Sequence, residues 1–144
     1  MSLFNRSGNP EKYELTEAQA VFCVFLSIIY ADGKMTDEEI NEFSFYFGKI
    51  KLFKELTITD LFPEFQKLFK EAEYNPEVVI ESVCPFISSG NRLPVFIYCC
   101  DFVYSDLEEK SSEERLLQKI MYGLTLDEKI AENVIRIMKR KSLL

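Results

Sequence analysis

Apolar residues recur along the chain at the three-and-four spacing of helices, and no stretch shows the period-two alternation of a strand. The short run Val78-Val79-Ile80 continues a helical pattern. Residues 17–31 are nearly all apolar or small, so a helix there must be covered on most sides. Thr16 opens it, and Gln19 completes a capping box. A second helix is expected over 37–50, with Ile40, Phe43, Phe47 and Ile50 as its stripe. Residues 51–59 read as a connection with a short helical turn. Asp60 or Thr59 then caps a helix that runs to about Ala72, with Pro63 tolerated in its first turn. Asn75-Pro76 starts another, running to about Ser89 and bent or interrupted at Pro85. Asn91 caps a helix ending at Tyr104, a second largely apolar one. The last two helices are expected at 112–122, closed by Gly123, and at 126 to about 141, opened by a Thr125/Glu128 capping box. The pattern predicts an all-α domain of about seven helices over residues 15–144, preceded by a polar, mobile lead over 1–14.

The most informative stretch is Tyr30-Ala31-Asp32-Gly33-Lys34-Met35-Thr36-Asp37-Glu38-Glu39. Asp32-Gly33 ends one helix and turns the chain. Thr36 and Glu39 form a capping box for the next, and Met35 with Ile40 fit a hydrophobic staple across it. A shift of 74 residues without a gap lays Tyr30 on Tyr104, Asp32 on Asp106 and Glu39 on Glu113. Val21 and Phe22 fall on Val95 and Phe96, and Phe43 and Phe47 fall on Leu117 and Met121. The register suggests two pseudo-duplicated halves. Gly33 falls on Leu107 and Thr36 on Lys110, so the second turn is expected to start its helix from Ser111, with Glu114 as capping partner.

Composition narrows the class. A length of 144 residues, 47% hydrophobic and 14% aromatic, suits one folded domain with its own core. A net charge of −7 argues against nucleic acid and against an anionic membrane surface as the main partner. The apolar run 18–30 is too short to span a bilayer, and no signal segment is recognisable, which suggests a cytoplasmic protein without membrane insertion. The four cysteines lack C-x-x-C spacing and read as buried free thiols. Histidine is absent, which removes the commonest general base and zinc ligand, and no Gly-rich phosphate loop is present. A non-enzymatic protein is expected.

The acidic turns point to hard-cation chemistry, because calcium and magnesium take several oxygen ligands. Asp32, Gly33, Met35 and Glu39 match the back half of an EF-hand loop, but its first and third positions would be Ile28 and Tyr30. One turn supplies too few carboxylates, whereas two brought together supply four: Asp32, Glu39, Asp106 and Glu113. Helix capping is the competing explanation. It accounts for Glu39 and Glu114 and leaves Asp32 and Asp106 as ordinary turn residues.

The motif Ala31-Asp32-Gly33-x-x-Thr36-x-x-Glu39 after a buried helix, repeated weakly around Tyr104 to Leu117, resembles the tellurite-resistance TerB family over residues 15–138. The resemblance implies an all-helical, pseudo-duplicated domain with an acidic cluster for a divalent metal at Asp32, Glu39, Asp106 and Glu113. It also implies a role in bacterial stress response. The leading expectation is a helical module holding Ca2+ or Mg2+. The alternative is a structural or protein-binding module without metal, its partner presented with an aromatic set around Phe45, Phe62, Phe65 and Phe69.

Overall fold

The structure is a computed structural model and describes residues 14–31, 33, 35–105 and 111–144. Among these it is all-helical. The helices are α1 Glu17–Ile29, α2 Asp37–Phe47, α3 Ile58–Glu71, α4 Pro76–Val83, α5 Ser89–Tyr104, α6 Ser111–Gly123 and α7 Glu128–Lys141, with 3-10 turns at Lys51–Phe53 and Cys84–Phe86. Residues 1–13 of the expected lead lie outside the described residues.

The helix starts follow local hydrogen-bond chemistry. Thr16 caps α1 and Thr36 caps α2, and both capping boxes are closed, by Gln19 and Glu39. Asn75 caps α4 ahead of Pro76, and Pro85 ends that helix in a 3-10 turn. Three starts differ from the sequence expectation. α3 is capped by Thr57, with Asp60 as its closing residue rather than its cap. α5 begins at Ser89, with Ser88 as N-cap in place of Asn91. α7 is capped by Asp127 rather than Thr125. Thr125 instead takes a left-handed backbone, φ 51°, and its hydroxyl accepts a 2.7 Å bond from Arg92 Nη1. In each case several Ser, Thr, Asp or Asn residues compete for the cap within a few positions. α6 includes Ser111, which was expected to stand before it as a cap.

α1 is the axis of the whole molecule rather than of its first half. Ala20 through Ile28 are each at most 1% exposed, because α3, α4, α5 and α6 surround the helix. The one hydroxyl in that run, Ser27, is satisfied by donating to the Cys23 carbonyl at 2.7 Å. Phe22 forms the hub of an aromatic cluster, its ring edge-on to Phe43, Phe47 and Phe53 at 5.7, 6.2 and 6.3 Å. Such contacts add about 0.5–1.5 kcal/mol each to area burial.

α5 is less enclosed than the sequence suggests. Val95, Phe96, Cys99, Cys100 and Val103 are buried, but Phe102 is half-buried and Ile97 is 38% exposed. Its outer side is covered only partly, chiefly by α7. The residues paired by the 74-residue shift share their burial in several cases: Val21 with Val95, Phe22 with Phe96, Phe43 with Leu117 and Phe47 with Met121 are all buried. No described helix is long and apolar enough to cross a membrane.

Candidate acidic site between α2 and α6

Glu39 and Glu113 line one small cavity of about 30 Å³, together with Glu42, Phe43, Phe102 and Ser105. The volume suits an occupant about the size of one water molecule. Its back wall is Ile28 and Ile29, at the end of α1. The two glutamates are 74 residues apart, and the structure brings them to the same place from the first turns of two helices. Both turns are therefore positive dipole ends, where a carboxylate is favoured.

Glu39 closes the cap of α2 and also lines the cavity. Its Oε1 accepts from Thr36 N at 3.1 Å and from Thr36 Oγ1 at 3.0 Å, which completes the cap. The capping box does not use Oε2. Glu113 is the more unusual group, a carboxylate only 4% exposed. Burying a carboxylate is costly unless charge or hydrogen bonds compensate it. The expected capping contact between Ser111 and its partner Glu114 lies outside the described residues. Glu114 Oε2 accepts from the Tyr104 hydroxyl at 2.9 Å and lies 3.6 Å from Lys139 Nζ. Asp32 and Asp106 lie outside the described residues. Among the described residues no group of three or more acidic, histidine or cysteine side chains stands close enough to hold a metal ion.

Glu42 was not among the expected site residues. It follows Glu39 by three positions on a helix, so the two share a face, and that spacing was the signal for it. Ser105, just past the end of α5, had no comparable signal.

Asp101, the one acid in the apolar run of α5, is bound on two sides. Tyr46 of α2 donates to Oδ2 at 2.6 Å, and Lys141 of α7 donates to Oδ1 at 2.8 Å. Burial, and then the Asp101 carboxylate, push the Tyr46 phenol well above the ordinary tyrosine range. Tyr104 is raised in the same way by burial and by Glu114.

All four cysteines are buried and free. Burial pushes Cys84 and Cys100 up to about 12 and raises Cys23 and Cys99 as well. None is therefore a thiolate nucleophile at neutral pH. The aromatic set proposed as a docking face is divided. Phe65 is buried against Phe62, Phe69 and Tyr30, whereas Phe45 is 64% exposed on α2 with Lys49 Nζ 4.1 Å over its ring. No family model matches the chain, and neither a curated protein nor a solved structure gives a significant match to it.

Proposed function

We propose that the protein is a non-enzymatic helical module that binds a divalent cation between α2 and α6. Glu39 and Glu113 are its central ligands; Asp32 and Asp106, expected from the sequence to join them, lie outside the described residues. The observation that carries this reading is the shared cavity. Two glutamates 74 residues apart line it together, one of them 4% exposed. The donors are all oxygens, which favours calcium or magnesium over softer metals. A cation bound there would supply positive charge, and Glu39 and Glu113 would hold it from the first turns of α2 and α6. A role in bacterial stress response rests on the TerB resemblance alone.

The test is calorimetric titration of chelator-treated protein with calcium, then magnesium, beside the double variant Glu39→Gln with Glu113→Gln. Saturable binding that the double variant loses supports the site. A saturating ion at about one hundred times its Kd also stabilises the fold by about 2.7 kcal/mol, readable as a higher Tm. No heat and no change in Tm at millimolar ion would end the cation hypothesis.

One observation favours a second reading, a protein-interaction module without an ion. α7 leaves Ile130 and Ile137, seven residues apart on one face, 49% and 61% exposed. If Ile130→Ser with Ile137→Ser abolishes recovery of a cellular partner that the cation-site variant still recovers, this second reading replaces the first.

A further inference from the structure

We propose that the groove between residues 49–52, α1 and α5 binds a medium-chain fatty acid, with its carboxylate held by Lys49 and Lys51 and its tail laid along α5. The site is separate from the acidic cavity, and none of its lining residues is shared with it. Its volume, about 310 Å³, falls at the lower end of the roughly 300–1,000 Å³ typical of small-molecule sites.

The floor is apolar and firmly set. Val21 and Phe25 of α1 and Val95 of α5 are nearly inaccessible, and the Phe25 ring is packed edge-on against Phe53 at 6.2 Å and Phe102 at 5.1 Å. Ile50 and Leu52 form a half-buried wall. Asn91 and Tyr98, both lining the groove, are two helical turns apart on α5, so the groove runs for about 10 Å.

Charge selects the occupant. Lys49 and Lys51 are exposed at the rim, and no acidic side chain lines the groove. Among the described residues neither lysine is in an ion pair, and the Lys49 head group rests 4.1 Å over the exposed Phe45 ring, a weak contact at an exposed site that a carboxylate displaces. In a chain of net charge −7, two such lysines beside an apolar trough form a local anion trap. The groove beside α4 and α6 is different. Its Arg115 and Lys119 are already matched with Glu77 and Glu81 at 3.4 and 3.2 Å. At the Asn91 end, Glu17 is hydrogen-bonded to Asn91 and to Ser88, and its negative charge turns a carboxylate head away towards the lysines.

The same chemistry disfavours a peptide. A peptide brings backbone N–H groups that need acceptors. The walls are largely apolar side chains, and the charged rim is lysine, which only donates. A hydrocarbon tail has no such requirement, and its carboxylate is an acceptor only.

The experiment is calorimetric titration of the intact protein with octanoate, decanoate and dodecanoate below their micelle concentrations, with decanol and acetate as controls. The three carboxylates bind saturably, tightening up to about fourfold per buried methylene. Decanol binds more weakly and acetate does not bind. Lys49→Gln with Lys51→Gln weakens decanoate about tenfold and removes its salt dependence. Both lysines are exposed, so Tm stays unchanged and a folding defect is ruled out. The proposal is overturned if no carboxylate saturates, if decanol binds as well as decanoate, or if the double lysine variant keeps full affinity. It is equally overturned if decanoate fails while an acidic, leucine-containing peptide binds in a lysine-dependent way.

Discussion

The hydroxyl of Tyr46 on α2 donates a 2.6 Å hydrogen bond to Asp101 on α5, joining residues 55 positions apart. α2 buries only Phe43 and Phe47 fully and is otherwise held by ring contacts, so this bond is a polar tie added to an aromatic seam. Asp101 also receives Lys141 of α7. Tyr46→Phe should cost about 1 kcal/mol in urea denaturation. Asp101→Asn, which weakens both contacts, should cost more, about 1.5–3 kcal/mol. Lys141→Gln should cost under about 1 kcal/mol, because the lysine is exposed and its pair is screened. Equal losses from all three variants would contradict this ranking.

The raised tyrosines predict the alkaline limb of stability. Tyr46 and Tyr104 hold their protons more tightly in the fold, through burial and then a neighbouring carboxylate. Unfolded tyrosines ionise near about pH 10. Above that value the unfolded chain releases protons that the folded chain keeps, so stability is full below about pH 10 and falls as pH rises. The double variant Tyr46→Phe with Tyr104→Phe should show a flatter decline between about pH 9 and 11. Parallel urea midpoints across that range would show that the two phenols are not responsible.

Gly123 ends α6 against the side chain of Cys84. A Cβ there would lie 2.9 Å from Cys84 Sγ and 3.3 Å from its Cβ. Gly123→Ala should destabilise by about 1–3 kcal/mol through overpacking, despite the better helix propensity of alanine. Adding Cys84→Ala should recover part of that loss, and a double-mutant cycle measures the coupling. Additive single effects would show that the close approach carries no energy.

Thr36 ties the fold to the proposed ion site. Its hydroxyl accepts from Glu39 N at 3.2 Å, and Glu39 Oε1 returns the bond. Thr36→Ala should cost about 1 kcal/mol of stability in ion-free protein. It should also weaken calcium binding, because Glu39 Oε1 loses one of the two Thr36 donors that fix its rotamer. Thr36→Ser should restore both. A variant destabilised but with unchanged calcium affinity would separate the cap from the site.

The legible part of the molecule was local. Apolar pattern and capping signals together placed α1, α2 and the start of α4, because a helix start such as Thr16-x-x-Gln19 or Asn75-Pro76 is satisfied within a few residues. The burial of α1 followed from its lack of polar residues, and the bend at Pro85 from the missing backbone donor. The 74-residue register also pointed to Glu39 and Glu113, which line one cavity. Which residue caps a helix was less legible. Thr57 and Asp127 prevailed over close competitors that satisfy the same local rule, and Ser88 stands at the start of α5 without a side-chain cap bond. The partners of charged side chains were not legible at all. Asp101 meets Tyr46 and Lys141, and Glu114 meets Tyr104 and Lys139, only because α2, α5, α6 and α7 pack together. The lysine-rimmed groove likewise joins the segment after α2 to two distant helices. Capping and periodicity act over three or four residues and can be read from the chain. Charge pairing and cavities depend on side chains brought together across the fold, and only the tertiary structure decides them.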